Sequence, residues 1–273
     1  GFLQNIVSND ISKVTSENSC FASLLTPQGK YLFDFIIVEH KNGFFLDCEK
    51  KNIELLLKQL HLYKLRSKVE FLNLSNEFVV ASISKEKFLE LDGSVDKLGH
   101  TIKFFEDPIL LDPRTSELGA RLVINLEKLH LSLKKLKLKS SNIDEYYQHS
   151  HNLGIPPTET LQLQNKIFGI ECNFDKLNAI DFKKGCYVGQ ENTARIKLKN
   201  KLSKRLLPIK IIQGKLNEDE SIYYNDIEIG KVLINEEYPF ALIKFLKKNF
   251  NKDFIFKSKN GSFKIFIPEW LKI

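Results

Sequence analysis

The amino-acid sequence predicts an α+β protein that is built from more than one domain. Its 273 residues exceed the usual length of a single domain. Residues 30–111 predict the order strand, strand, helix, strand, strand, helix, strand, which is typical of a ferredoxin-like plait variant. After Leu202 only short strand-like segments separated by polar turns occur, and they predict a separate small β-barrel or sandwich.

The first elements follow from apolar spacing and from turn residues. Apolar side chains from Phe2 to Ile11 recur at helical spacing, and the apolar segment 20–25 predicts a strand. Thr26-Pro27-Gln28-Gly29 has Pro and Gly where a turn favours them, and Asn42-Gly43 is a hairpin signal. Within the plait we expect strands at 31–38, 44–47, 68–74, 78–83 and 101–105, and helices over 53–60 and 85–91.

The second half of the chain contains mixed signals and then strands alone. A strand is expected at 121–125, and helices are expected over 143–153, before Gly154-Ile155-Pro156-Pro157, and over 160–168. The alternation of apolar and basic residues over 194–199 predicts a strand with one basic face. The barrel strands are expected at 206–212, 221–224, 227–233, 241–245, 254–256 and 263–267.

Composition limits the class of protein and its compartment. Apolar residues make up 42% of the chain, and no apolar run approaches the roughly 18 residues that a membrane-spanning helix needs. The four cysteines are widely spaced, and none forms a C-x-x-C pair that would indicate a zinc or dithiol site. No export signal is visible, so we expect reduced thiols, no metal site and a cytoplasmic location.

The segment 183–195 concentrates the residue types from which sites are built. It reads Lys-Lys-Gly-Cys-Tyr-Val-Gly-Gln-Glu-Asn-Thr-Ala-Arg. Glycine lets a partner approach the backbone closely, a thiol beside lysines is a candidate thiolate, and Gln, Glu and Arg supply directed hydrogen bonds. The alternative is a strand–turn–strand corner in which the cysteine is a small core residue. The chain carries eight basic residues and one acidic residue from Lys183 to Arg205, which suits an anionic small molecule or a nucleic acid.

This segment resembles the signature of the YgfZ-type folate-binding proteins, which are relatives of the aminomethyltransferase (T-protein) of the glycine cleavage system. The resemblance extends over nearly the whole chain and keeps the family's order. Five further segments carry it: 2–10 resembles F-L-Q-N-x-x-T-N-D, 25–30 resembles L-T-P-Q-G-R/K, 63–66 resembles Y-x-L-R, 112–121 resembles D-P-R…G-x-R, and 146–156 resembles Y-x(7)-G-I-P.

The resemblance implies a three-domain, T-protein-like architecture. A discontinuous folate-binding domain would comprise residues 1–29 and 112–200, a ferredoxin-like plait residues 30–111, and a C-terminal β-barrel residues 201–273. It also implies tetrahydrofolate or a one-carbon derivative as ligand. The implied role is support of iron–sulfur cluster assembly or repair, with an indirect effect on tRNA modification. Iron–sulfur proteins or their assembly factors would be clients, and neither direct nucleic-acid binding nor a membrane partner is expected.

The same resemblance suggests the site residues. Cys186 would be the functional thiol. A folate site needs a carboxylate or amide for the pterin edge, an aromatic wall and cations for the glutamate tail. Glu171 stands where relatives place a pterin-reading carboxylate, Tyr146 stands where they place an aromatic ring, and Arg195 or nearby lysines would hold the tail. Asn9, Tyr187 and Gln190 complete the expected cofactor set. Each of these residues could instead be a surface charge or a core tyrosine.

Two differences from the relatives bear on activity. Ser150 occupies a position where relatives often have Arg, so one anion contact is lost or supplied elsewhere. True aminomethyltransferases carry a catalytic Asp after a plait strand, and the corresponding segment 47–54 has no clear Asp in that slot. Those enzymes also lack the motif cysteine, so we do not expect glycine cleavage activity. Folate-dependent aminomethyl or methyl transfer remains the alternative. A nucleic-acid-binding module is the third interpretation, although the basic segment lacks interleaved aromatics for base stacking.

Overall fold

The computed structural model describes residues 1–198, 202–224, 226–244 and 254–271. These residues form two compact units. The first unit comprises Gly1–Leu24, Phe33–Ile143 and Leu177–Val188, and the second comprises Leu25–Leu32, Asp144–Lys176 and the described part of Gly189–Ile273. The three-domain boundaries expected from the resemblance stay a prediction.

The first sheet forms early in the chain. Helix α1 (Phe2–Ile6) precedes strands β1 (Cys20–Leu25), β2 (Tyr31–His40) and β3 (Gly43–Asp47), which lie in the order β1-β2-β3. Every residue of β1 is buried, including the polar Ser23, in keeping with its otherwise apolar sequence. The β2–β3 hairpin forms as predicted, but it pairs His40 with Gly43, so its two-residue loop is Lys41-Asn42, one residue before the expected Asn42-Gly43 turn.

A second sheet of the first unit is antiparallel and has four strands. Its order is β4 (Phe78–Ile83), β7 (Ala120–Asn125), β6 (Asp107–Leu111) and β5 (Thr101–Phe104). Helices α2 (Ile53–Lys64), α3 (Lys85–Leu89) and α4 (Leu129–Lys135) belong to the same unit. The core of this sheet joins strand residues such as Ile109 and Leu122 with Phe88 of α3 and with Leu136, which follows α4.

Two strand predictions in this region need correction. The segment 68–74 is not a strand, because its backbone makes local hydrogen bonds and the side chain of Asn73 binds the amide of Ser75. Strand β6 was missed, since Pro108 lies within it and the turn before it contains no glycine.

One of two helix assignments after residue 142 also differs from expectation. Helix α5 (Ile143–Asn152) forms where it was predicted. The helix expected over 160–168 is only a 3-10 helix, Thr160–Leu163, because Asn165 takes a left-handed φ of +61° and stops it.

The basic strand expected over 194–199 is wrong. Residues Gln190–Leu198 form helix α6, and Lys199 lies outside the described residues. The segment is rich in strong helix formers. Glu191 in the first turn and Arg195 and Lys197 in the last turn complement the helix dipole.

The C-terminal barrel confirms the prediction of an all-β end. Strands β8 (Lys204–Gly214), β9 (Ser221–Tyr224), β10 (Ile227–Ile234), β11 (Phe240–Lys244), β12 (Phe256–Lys257) and β13 (Gly261–Ile265) close in the order β10-β11-β8-β13-β12-β9. Buried aliphatic residues and Phe263 fill the interior. Phe245, the last residue of the strand expected at 241–245, lies outside the described residues. Among the residues described, no helix has the length and apolar character to cross a bilayer.

Candidate functional site

Lys184 anchors the first half of the motif within the first unit. Its Nζ donates hydrogen bonds to three backbone carbonyls, those of Gln4 at 2.8 Å, Val7 at 2.7 Å and Asn9 at 2.8 Å. An ammonium group has three donors, so these carbonyls match its full donor set. The side chain therefore fastens the motif to α1 and to the segment that follows it.

Burial governs the electrostatics of this lysine. The residue is only 8% exposed, and burial lowers its pKa from 10.5 to about 8, against the opposing charges of Asp10 and Asp181. Its Nζ also lies 5.1 Å from the centroid of the Tyr187 ring. Tyr187 is itself buried, so its ring packs against Lys184.

An ion pair between Asp181 and Lys13 holds the chain just before the motif. Asp181 accepts a hydrogen bond from the amide of Lys183 at 2.7 Å and pairs with Lys13. Burial alone would raise the pKa of Asp181, but these hydrogen bonds outweigh it and leave the pKa lowered. The loop that leads to the thiol is thus fixed on both sides of Lys183.

Cys186 projects from this anchored loop into solvent. It is the exposed member of the four free cysteines, whereas Cys20 and Cys172 are buried and Cys48 is half-buried. Burial raises the pKa of both Cys20 and Cys48 to about 12, which keeps those thiols protonated and unreactive. Cys186 alone therefore combines access with a position in the motif.

Gly185 leaves open space beside the thiol. Among the described residues, a Cβ atom built on this residue would meet nothing within 4 Å, and its φ is not in the left-handed region. Neither packing against the described residues nor backbone strain thus requires a glycine here. The free approach to this backbone suits an external partner at Cys186.

Asn9 serves the internal structure of the first unit. Its Nδ2 donates to the carbonyls of Phe21 and Asn178, both at 2.7 Å, and its Oδ1 accepts from the amide of Asp10 at 2.8 Å. Both amide protons are therefore used in joining these backbone segments.

The second half of the motif packs against the Thr26–Gly29 turn within the second unit. Gly189 has a φ of +84°, and a Cβ there would lie 2.5 Å from the carbonyl oxygen of Thr26. Gly29 has a φ of +82°, which favours glycine, and a Cβ there would come within 3.1 Å of the carbonyl oxygen of Gly189. The side chain of Asn192 also donates to the carbonyl of Gln28 at 3.0 Å. The segment 183–195 and the Thr26–Gly29 turn thus form one glycine-dependent contact.

Glu171 is a half-buried carboxylate of the second unit. Its Oε2 accepts a hydrogen bond from the amide of Phe168 at 3.0 Å. Burial raises its pKa, while that hydrogen bond and the charges of Lys204, Lys30 and Arg205 act in the opposite direction. The positive charges of these three residues thus act on the carboxylate, although it forms no ion pair with them in the described structure.

The remaining predicted ligands also belong to the second unit. Tyr146 lies half-buried on α5, with its ring centroid 6.2 Å from that of Tyr147. Gln190 begins α6, and Arg195 is exposed in the last turn of that helix. Ser150 is buried, and its hydroxyl donates a hydrogen bond to the carbonyl of Ile155 at 2.8 Å. This bond stabilises the C-terminal end of α5.

The predicted site residues thus fall into two groups. Asn9, Cys186 and Tyr187 belong to the first unit, and Tyr146, Glu171, Gln190 and Arg195 belong to the second. Lys184 was not predicted as a site residue, and sequence offers no signal that distinguishes it from the exposed Lys183. In the part of the chain that the structure describes, no cluster of three or more His, Cys, Asp or Glu residues could hold a metal ion.

Comparison with known proteins relates the chain to iron–sulfur assembly factors. No family model matches it. It is 28% identical over 234 residues to the mitochondrial iron-sulfur cluster assembly factor IBA57 homolog of Dictyostelium discoideum, covering 76% of this chain and 57% of that protein. The Neurospora crassa homolog is 29% identical over 221 residues, with 76% and 48% covered. The human factor is 28% identical over 197 residues, with 70% and 53% covered. The chain spans about half the length of these curated relatives.

These relatives contradict the expected compartment. Their names place them in mitochondria, so the prediction of a cytoplasmic location is wrong. That prediction rested on a missing export signal and on the spacing of the cysteines, neither of which distinguishes one reducing compartment from another.

A solved structure shows the fold. The glycine cleavage system aminomethyltransferase T of Bartonella henselae superposes with a TM-score of 0.73, covering 99% of this chain and 80% of that one at 12% identity. The chain therefore has the T-protein fold, a mixed α/β architecture with a six-stranded C-terminal barrel, and is similar in sequence to the IBA57 iron–sulfur cluster assembly factors.

Proposed function

We propose that this chain is a YgfZ-type accessory protein that supports iron–sulfur cluster assembly or repair and uses Cys186 as its functional thiol. The observation that carries the proposal is the placement of Cys186, an exposed cysteine on a loop that Lys184 anchors. Similarity to proteins named as iron–sulfur cluster assembly factors supports the choice of pathway.

The geometry fits transient contact with a partner that binds or exchanges with a thiolate. A thiolate is a ligand for iron in clusters and a nucleophile in thiol exchange. Gly185 leaves the backbone beside Cys186 open, so a client protein or assembly factor can approach the sulfur. The cluster is then cargo, and an effect on tRNA modification is indirect, through iron–sulfur enzymes that modify tRNA.

We further propose tetrahydrofolate or a one-carbon derivative as the bound small molecule. Glu171 would supply the acceptor for the pterin edge, Tyr146 the aromatic surface, Gln190 an amide and Arg195 the cation for the tail. The half-buried carboxylate of Glu171 fits this role, because its one described hydrogen bond leaves capacity for a ligand. When bound, a reduced folate supplies a carrier of one-carbon units.

Two residues of the expected ligand set fit less well. The amide protons of Asn9 are taken by backbone carbonyls, and the buried ring of Tyr187 packs beside Lys184. We therefore propose positioning roles for Asn9 and Tyr187 in the first unit.

Calorimetric titration of the purified chain with tetrahydrofolate tests the ligand. Glu171→Gln and Arg195→Gln should each weaken binding by roughly tenfold or more, as expected for loss of one charged hydrogen bond. Glu191→Gln, an exposed carboxylate of α6, is the matched control and should bind like the wild type. Equal affinities across all four proteins would remove these residues from the site.

Folate-dependent aminomethyl transfer is the alternative function. Asp47, the only Asp in segment 47–54, pairs with Arg121 at 2.6 Å and is nearly buried, so it is engaged in structure. We expect no turnover of an aminomethyl donor with tetrahydrofolate, measured as release of the methylene-carrying product. Turnover that Asp47→Asn abolishes would favour the enzyme over the accessory protein.

Thiol alkylation tests the observation on Cys186. A maleimide reagent under native conditions should modify Cys186 at least tenfold faster than the three less exposed cysteines, as mapped by mass spectrometry, because access controls the rate. Comparable rates of modification at Cys48 and Cys186 would contradict the proposal that Cys186 is the accessible, reactive thiol.

A further inference from the structure

The tip of the β5–β6 hairpin has an unusual backbone. Phe104 pairs with Asp107, so Phe105 and Glu106 form the two-residue loop. Their φ angles are +50° and +70°. Loops of this kind normally contain Asn-Gly, since a bulky side chain is strained in the left-handed region. Phe105 is therefore held at the tip against the local preference of its backbone.

Helix α4 and the turn before it lie against this tip. The Nζ of Lys128 donates to the carbonyl of Phe105 at 3.1 Å, and the Nζ of Lys135 lies 4.2 Å from the centroid of the Phe105 ring. Lys128, Leu131 and Lys135 are three and four residues apart, so they share one helical face. Leu131 thus lies between two lysines that contact Phe105. We define the hairpin patch as Lys103, Phe105, Lys128, Leu131, Lys134 and Lys135.

The hairpin patch is apolar and cationic at once. Phe105 is 36% exposed and Leu131 48%, and the four lysines are exposed. Residues 103–106 and 126–139 together carry six lysines and two glutamates, Glu106 at the tip and Glu127, so the local charge is positive by four. Burial and then the charges of Lys41, Lys103 and Lys128 lower the pKa of His40, against the charge of Asp107. The positive charges therefore converge on this side of the first unit.

We propose that the hairpin patch docks the chain on the headgroup region of a bilayer that contains anionic phospholipid. Exposed aromatic and aliphatic side chains enter such an interface, while lysines reach the phosphates. The patch contains lysine and no arginine, whereas protein–protein interfaces favour arginine and are depleted of lysine. A lipid surface therefore matches it better than a protein partner does.

This surface goes beyond the proposed role in iron–sulfur assembly. We expected no membrane partner from the sequence, because no apolar segment is long enough to cross a bilayer. The hairpin patch would contact a bilayer without crossing it, and periodicity along the chain gives no sign of a surface made from a hairpin tip and a separate helix.

Vesicle co-sedimentation of the full chain tests the proposal. The probes are vesicles of phosphatidylcholine alone and of phosphatidylcholine with an equal part of phosphatidylglycerol. The chain should bind only the anionic vesicles, and binding should fall with added salt. The triple variant Lys128→Glu, Lys134→Glu and Lys135→Glu should bind on the order of 100-fold more weakly. The matched control reverses three exposed barrel lysines, Lys210→Glu, Lys231→Glu and Lys259→Glu, and should retain most of the binding.

A second variant separates the apolar contribution from charge and from folding. Phe105→Asn with Leu131→Ser keeps every lysine and should bind at least tenfold more weakly. Circular dichroism checks that each variant is folded. Binding to both kinds of vesicle alike, or equal loss in the barrel control, would overturn the proposal. Binding of single-stranded RNA in place of vesicles, with loss in the triple lysine variant, would assign the hairpin patch to nucleic acid and also overturn it.

Discussion

Replacement of Lys184 by methionine should destabilise the first unit without changing its shape. Methionine has a similar length but no donor, so the variant loses three hydrogen bonds to the carbonyls of Gln4, Val7 and Asn9. Bonds from a charged donor contribute about 1.5–3 kcal/mol each, which gives a loss of roughly 6 kcal/mol. This loss is partly offset, because burial of the charge lowers the pKa from 10.5 to about 8. That shift corresponds to a cost of about 3 kcal/mol for burying the charge, and this cost is absent in the methionine variant.

The net expectation for Lys184→Met is a loss of about 3 kcal/mol in unfolding free energy. Urea unfolding followed by far-UV circular dichroism measures it, and the thermal midpoint should fall by roughly 5–10 °C. Lys183→Met is the matched control, since Lys183 is the exposed neighbour and should change stability by less than about 0.5 kcal/mol. Equal stability of the two variants would refute the anchoring role of Lys184.

Three further predictions concern glycine, a carboxylate and a strained turn. Gly189→Ala should lower the unfolding free energy by about 2–4 kcal/mol, because its φ is +84° and the new Cβ would lie 2.5 Å from the carbonyl oxygen of Thr26. Gly185→Ala is the control and should leave the unfolding free energy in urea unchanged. Similar losses for both variants would contradict this reasoning. Burial raises the pKa of Glu171 above its ordinary 4.5, so its stabilising contribution is present below that pH and is lost as the pH rises through the raised value. The thermal midpoint of Glu171→Gln should therefore increase relative to that of the wild type as the pH rises from about 4.5 to neutrality. A difference between the two midpoints that does not change with pH would disprove the raised pKa of Glu171. Phe105→Asn should keep or raise the unfolding free energy by up to about 1 kcal/mol, because Asn tolerates left-handed backbone better, and a clear loss would argue against strain at the tip.

The barrel could be predicted from the sequence because its signal is local. Short apolar strands alternate with polar turns after Leu202, and each expected strand overlaps an observed one within the described residues. The same holds for β1 and for the presence of the β2–β3 hairpin, which apolar runs and the turn signal near Asn42 predict.

Helix α6 shows where periodicity misled. Alternating basic residues suggested a strand, but intrinsic helix propensity and charges placed to suit the helix dipole decide the outcome. The missed strand β6 is the opposite case, since a proline and a turn without glycine hide a segment that tertiary pairing with β5 and β7 makes a strand.

The candidate site could be located from sequence but not assembled. The motif marked Cys186, and the structure shows it exposed. The function of Lys184 depends on carbonyls that lie 175 to 180 residues earlier in the chain, and no local pattern distinguishes it from Lys183. The hydrogen bond from Asn9 to the carbonyl of Asn178 is likewise long-range, and no local pattern in the sequence indicates it.

The most direct test of the proposed function replaces Cys186 by serine in cells whose only copy of this protein is the variant. Serine keeps the size of the side chain and removes the thiol chemistry, and Cys48→Ser is the matched control because Cys48 is half-buried and its pKa is raised to about 12. We predict that iron–sulfur enzyme activity falls with Cys186→Ser and is retained with Cys48→Ser, at equal amounts of both proteins. Full activity with Cys186→Ser would contradict the assignment of Cys186 as the functional thiol.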